Sequence, residues 1–175
     1  MKLKGRQVMV LGLARTGREA AKFLVDQGAH VVVSDCRGKG ELRSELDALG
    51  GMPIRYFLGG EEKHWMEGIE TLVTSPGVPS DNPLLQEASR RGVDILSEIE
   101  LAYGFLKTPL VVVTGTNGKT TTTTLLGDVV NRAGIRAFVG GNIGAPLISF
   151  VSENWDWGVV EVSSFQLEWV NRFRP

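Results

Sequence analysis

Between Val111 and Thr121 the chain reads Val-Val-Val-Thr-Gly-Thr-Asn-Gly-Lys-Thr-Thr. A β-branched run empties into a glycine-bracketed loop, and a lysine and threonines open a segment with helical character. Glycines let successive backbone N–H groups close around phosphate oxygens. Lys119 offers a point charge for β- and γ-phosphates, and the Thr120 hydroxyl can reach a Mg²⁺ ion. The chemistry such a loop can do is the handling of a nucleoside triphosphate. Its spacing departs from the general phosphate loop: the first glycine, Gly115, lies four positions before Lys119, and the position six before it is Val113.

A second glycine loop stands near the start. Gly12-Leu13-Ala14-Arg15-Thr16-Gly17 follows a short apolar run and precedes a helical pattern. It has the form of the dinucleotide fingerprint G-x-G-x-x-G with Ala14 in place of the middle glycine, the one that admits a close pyrophosphate. Asp35 follows Gly17 by 18 residues, where an acid can meet a ribose. The loop suits either a nicotinamide dinucleotide or a uridine diphosphate sugar, since both place a diphosphate at a helix N-terminus.

The elements that must position these loops are legible as alternating strands and helices. Strands are predicted over 7–11, 30–34, 54–58, 69–74 and 94–96, with helices over 16–27, 41–49 and 83–91. Beyond them come a helix over 97–105, strands over 110–114, 136–139 and 157–162, and a helix over 120–133. The last helix is expected to bury Leu125, Leu126, Val129 and Val130 on one face. Trp155, Trp157, Trp169 and Phe173 are expected to pack the same region, and Glu61-Glu62-Lys63 to form a solvated turn. Such alternation predicts an α/β protein. A Rossmann-like parallel-sheet domain over 1–96 is followed by an incomplete P-loop NTPase-type α/β domain over 97–175. Three strands and one long helix leave that second sheet with an open edge, so the sequence reads as part of a longer chain, and the open edge is expected to favour association.

Composition bounds the rest. The 175 residues are 42% hydrophobic and 22% charged with net charge −1, which argues against a nucleic-acid or anionic-membrane partner. No apolar run approaches the ~20 residues of a membrane span. A single cysteine, Cys36, excludes internal disulfides and, with no room for a signal peptide before the first strand, suggests the cytoplasm. His30 and His64 stand apart from any other metal-ligating residue.

Two glycine loops of different kinds, together with Gly140-Gly141-Asn142-Ile143-Gly144 and Glu161-Val162-Ser163-Ser164-Phe165-Gln166-Leu167-Glu168, give the whole chain a resemblance to the Mur ligases of bacterial peptidoglycan synthesis. The resemblance implies a first domain that holds the UDP portion of the substrate and a second that binds ATP and Mg²⁺. A third domain, beyond Pro175, would bring in the amino acid. The Ser163–Glu168 motif implies the step that joins D-glutamate to UDP-N-acetylmuramoyl-L-alanine through an acyl phosphate, in a full-length enzyme expected to be a monomer. The chain alone would not ligate.

Carried over residue by residue, Lys119 and Glu161 would be catalytic, and Gly115, Thr116, Asn117, Gly118, Lys119, Thr120 and Thr121 would bind ATP. Thr120 and Glu161 would hold the metal. Substrate would meet Arg15, Thr16 and Gly17 at the diphosphate, Asp35, Cys36 and Arg37 at the uridine, and Ser75, Pro76 and Gly77 at the sugar. Asn142, Ser163 and Gln166 would touch the muramoyl-alanine end. Cys36 stands where the family commonly has a hydroxyl residue, and Arg15 where it has an apolar one. Two other readings stay open: a sister ligase that adds L-alanine, and an NAD(H)-binding Rossmann module.

Overall fold

A computed structural model describes residues 1–175. The chain divides into two compact units, Met1–Glu98 and Ile99–Pro175.

Unit 1 holds five strands: β1 (Gln7–Leu11), β2 (His30–Asp35), β3 (Ile54–Leu58), β4 (Thr71–Thr74) and β5 (Asp94–Ser97). They form one sheet in the order β3-β2-β1-β4-β5, and every pairing is parallel. The central strands are near-continuous apolar runs because both faces of a parallel sheet are covered, and Val8, Met9, Val10 and Val33 are fully buried. The order reverses at β1, so the chain leaves β1 and β4 on opposite sides of one crevice. That topological switch point is where open α/β sheets bind ligands.

Helix α1 (Arg15–Asp26) packs Ala20, Ala21, Phe23 and Leu24 against the sheet. Its Gly17 is required by close approach: a Cβ there would overlap the carbonyl oxygen of Gly12. Helix α2 shrinks to Arg43–Asp47, shorter than the predicted 41–49. Helix α3 (Pro83–Arg91) starts on the Asn82 side chain, which accepts the Leu84 N–H, carries proline in its first turn, and ends on left-handed Gly92. Helix α4 (Glu98–Tyr103) follows β5 without a loop.

Unit 2 has a three-stranded parallel sheet in the order β6-β8-β7, made of β6 (Leu110–Val113), β7 (Ala137–Gly141) and β8 (Trp157–Glu161). Helix α5 (Lys119–Arg132) lies on it, but only part of the expected face turns inward, with Leu126 and Val130 half-buried. Its buried positions are Thr123 and Gly127, whereas Leu125 is 62% and Val129 54% exposed. Packing distance is the reason. A Cβ on Gly127 would overlap Val139, so the small-residue stripe seats the helix close to the sheet. At 3.6 residues per turn Leu125 and Val129 then face the opposite way. The four tryptophan and phenylalanine residues expected to pack here do so unequally. Trp155 packs edge-on against Phe138 and Phe150, and Phe173 against Tyr103, but Trp157 is exposed.

A short helix missing from the sequence reading, α6 (Ser164–Leu167), follows β8. Beyond it, buried Glu100 of α4 accepts the backbone N–H groups of Asn171, Arg172 and Phe173 at 2.9–3.1 Å, and Arg172 adds an ion pair. Burial pushes the Glu100 carboxyl upward, but the three N–H donors and Arg172 outweigh it and hold the carboxyl below its ordinary value. A group lowered on folding stabilises fully above its unfolded value and loses that contribution as pH falls through the folded one. Glu100→Ala is therefore expected to destabilise unit 2 by about 2 kcal/mol at neutral pH and by progressively less as the pH falls below the ordinary carboxylate range. Urea titrations followed by tryptophan emission measure this, since three of the four tryptophans, Trp155, Trp157 and Trp169, lie in unit 2, and the Trp65→Phe background removes the signal of unit 1.

Candidate functional sites in the two units

The crevice of unit 1 is built by the turns after β1, β2 and β4. Gly12, at φ +89°, turns the chain out of β1. The Ser75 hydroxyl donates to the Gly12 carbonyl at 2.8 Å, so the turns after β1 and β4 are bolted to each other. Helix α1 starts at Ala14 with no side-chain cap, which leaves its first-turn N–H groups free for an anion. Arg15 is exposed beside that turn, and Thr16 and Gly17 complete it. Pro76 and Gly77 follow Ser75 on the rim.

Asp35 ends β2 and is only 5% exposed. Its Oδ2 accepts the Leu13 N–H at 2.7 Å and Arg37 Nη2 at 2.8 Å. Its Oδ1 accepts the Arg37 N–H at 2.9 Å and Nε at 3.0 Å. Burial raises the carboxyl pKa, but the Arg37 guanidinium and the two backbone donors prevail and hold it below the usual range. The carboxylate is thus charged and fully engaged. It fixes Arg37 in a fork and ties the turn after β1 to that after β2, while Cys36 stands exposed at the tip. The sequence suggested an acid facing a ribose; the internal use of all its lone pairs was not visible there.

In unit 2, β6 aims the loop 114–118 outward. Gly115 (φ +144°) and Gly118 (φ +77°) hold backbone conformations that side chains disfavour, and Gly118 caps α5. Thr116 and Asn117 are exposed between them, as is Thr121 on the helix. The Lys119 amine donates to the carbonyls of Gly115 (2.6 Å) and Thr116 (3.3 Å), so the loop is curled round its own cation.

Glu161 closes β8 beside this loop. It is 2% exposed, so it is no solvated strand-end acid. Thr120 Oγ1 donates to its Oε2 and Asn142 Nδ2 to its Oε1, each at 2.8 Å. The Asn142 N–H also donates to the Glu161 carbonyl at 2.8 Å. This second contact fixes Gly141, where a Cβ would overlap that carbonyl. Within the Gly140–Gly144 motif, this close approach is what requires glycine at 141. Ser163 and Gln166 form a reciprocal capping box at α6: the Ser163 hydroxyl accepts the Gln166 N–H, and Gln166 Oε1 accepts the Ser163 N–H. The Ser-x-x-Gln spacing was the signal for that helix.

Thr120 and Glu161 place a hydroxyl and a carboxylate oxygen side by side. Two hard protein oxygens, with further positions left to phosphate and water, suit Mg²⁺. No group of three or more His, Cys, Asp or Glu residues is arranged to hold a metal ion.

A switch-point crevice in the first unit, and in the second a glycine-bracketed loop beside a buried glutamate, define a two-unit α/β protein with parallel sheets. Residues 6–97 match the family description Mur ligase MurD-like, N-terminal domain, and residues 113–175 match Mur ligase middle domain, so the chain belongs to the Mur ligase family. It is 48% identical over 177 residues to a UDP-N-acetylmuramoylalanine–D-glutamate ligase of Geobacter metallireducens, and 49% identical over 178 residues to the enzyme so named in Geotalea daltonii. Both matches take in 100% of this chain and 39% of the relative. The chain therefore spans about two-fifths of the length of these curated relatives. Among solved structures, it resembles the UDP-N-acetylmuramate:L-alanyl-gamma-D-glutamyl-meso-diaminopimelate ligase from Neisseria meningitides. That match has TM-score 0.56 and 19% identity over 92% of this chain and 55% of that one, and it speaks to the fold. No helix is long and apolar enough to cross a membrane.

Proposed function

We propose that this chain supplies the nucleotide-sugar-binding unit and the phosphate-loop part of the ATP-binding unit of a ligase that joins D-glutamate to UDP-N-acetylmuramoyl-L-alanine. The observation that carries this reading is the cluster at the mouth of the phosphate loop, where Thr120 and Asn142 both grip the carboxylate of Glu161.

In unit 1, Arg15, Thr16 and Gly17 face the diphosphate, Asp35, Cys36 and Arg37 the uridine, and Ser75, Pro76 and Gly77 the sugar. Asp35 acts there largely by locking Arg37. In unit 2, residues Gly115–Thr121 surround the ATP phosphates, and Asn142 and Ser163 meet the muramoyl-alanine end, with Gln166 behind Ser163 as its brace. Thr120 and Glu161 would hold Mg²⁺, which would neutralise charge on the phosphate oxygens.

In the reaction so read, a carboxylate oxygen of the substrate attacks the γ-phosphorus, and the bond to the ADP oxygen breaks. The amine of D-glutamate then attacks the acyl carbon of the resulting acyl phosphate. The tetrahedral adduct expels phosphate and the nitrogen loses its proton, leaving an amide. Lys119 releases the Gly115 and Thr116 carbonyls to follow the γ-phosphate, a role of positioning and charge compensation.

Calorimetric titration of the chain with UDP-N-acetylmuramoyl-L-alanine, with NADH run in parallel, tests the assignment of unit 1. Binding of the UDP compound and none of NADH is expected. Binding of NADH alone would overturn the reading in favour of a dinucleotide module.

A further inference from the structure

Segment Gly59–Met66 of unit 1 forms the first part of the connection from β3 to β4, and its middle, Glu61-Glu62-Lys63, is expected to be a solvated turn. Glu62 and Lys63 are exposed, as expected of such a turn, but the segment around them is tied down at three points, and two of the ties lead to loops of the crevice.

At its start, the Gly59 N–H is shared between the carbonyls of Asp35 and Arg37, both at 3.0 Å. It thereby fixes the backbone on either side of Cys36. Two residues on, Glu61 Oε1 accepts Asn82 Nδ2 at 2.6 Å. Asn82 is buried and ends the loop that begins at Ser75: its N–H donates to the Pro79 carbonyl and its Oδ1 caps Leu84. The span from Gly59 to Glu61 thus reaches from the turn after β2 to the turn after β4.

The third tie is aromatic. Trp65 stacks on Phe57 of β3 with centroids 4.9 Å apart and planes 12° from parallel. The Arg55 guanidinium lies 4.5 Å over the same Phe57 ring. The indole edge also rests on Gly60, where a Cβ would lie 3.3 Å from it. Trp65 belongs to a short 3-10 turn, Lys63–Met66, and is half-buried against the edge strand β3 rather than part of the core between sheet and helices. Its contacts fix where Gly60 lies, and through Gly60 the two polar ties on either side.

We propose that Trp65 and Glu61 are positioning residues that set the spacing between the turn carrying Asp35–Arg37 and the loop Ser75–Asn82. Trp65 governs the whole crosspiece, while Glu61 governs only the loop on the sugar side. The proposal rests on the reading of unit 1 as the nucleotide-sugar unit. It separates two affinities, for UDP and for the UDP-sugar, that a general loss of packing would lower together.

The test is titration of UDP and of UDP-N-acetylmuramoyl-L-alanine into the 175-residue chain and its variants, with a thermal melt of each. Trp65→Ala is expected to weaken both ligands about tenfold, and Trp65→Phe, which keeps a stacking ring, to stay within about twofold of the parent. Glu61→Ala is expected to weaken the UDP-sugar about threefold and leave UDP unchanged. Equal affinities in Trp65→Ala and the parent, or equal losses for both ligands in Glu61→Ala, overturn the proposal while leaving unit 1 as a nucleotide-sugar unit. A parent chain that binds neither ligand overturns both. Should Trp65→Ala fail to melt cooperatively, the split in Glu61→Ala decides alone.

Discussion

Lys119→Ala in the intact ligase is expected to lower ATP-dependent turnover by about three orders of magnitude. Affinity for the UDP-sugar should stay within about twofold, because the unit 1 crevice is built without this residue. The amine is the single side-chain cation of the phosphate loop, and it is held by two loop carbonyls rather than by a counter-ion. Removing it leaves phosphate oxygens to backbone N–H groups alone, and it also removes the filling round which the loop is curled. Initial rates of phosphate release at saturating substrates measure the effect. Turnover within about tenfold of the parent would sink the assignment of the loop, and a parallel loss of UDP-sugar affinity would point to misfolding.

Gly17→Ala is expected to be the most damaging single methyl group in unit 1. The added carbon overlaps the Gly12 carbonyl oxygen and comes within 3.0 Å of the Ser75 hydroxyl. Relief requires α1 to move off the sheet, which costs on the order of 3 kcal/mol or more. It also parts the two turns that the Ser75–Gly12 hydrogen bond joins. Denaturation of the chain followed by far-ultraviolet circular dichroism should show unit 1 unfolding well below its parental midpoint. An unchanged midpoint would mean that the helix and the turn approach each other less closely than described.

Both predictions concern glycine loops, the part of the molecule most legible in the sequence. Glycine and lysine at fixed offsets after a valine run have few other uses, and strand-helix alternation fixes a parallel sheet. Other features were hidden for identifiable reasons. Leu125 and Val129 repeat at helical spacing whichever way the helix faces. What seats α5 is the stripe of Thr123 and Gly127, which carries no hydrophobic signal. Helix α6 is four residues long, too short for periodicity, and only its cap announces it. The engagement of Asp35 by Leu13 depends on a partner 22 residues away, and the tie from Glu61 to Asn82 on one 21 residues away. Neither partner is singled out by its type.

The grip of Glu100 on Asn171, Arg172 and Phe173 joins positions 71 to 73 residues apart. It makes a near-circular path of unit 2, since the helix by which the chain enters is clasped to the segment by which it leaves the last strand. Closing a loop of that size in a flexible chain costs on the order of 4 kcal/mol of chain entropy. The parallel pairings of β6 with β8 and of β7 with β8 already require most of that closure. Once the sheet has formed, the clasp adds little further ordering, so its charge-assisted hydrogen bonds count almost entirely toward holding the ring shut. Local fraying of the segment after α6 is suppressed for the same reason: it must break three bonds to one carboxylate together rather than one at a time.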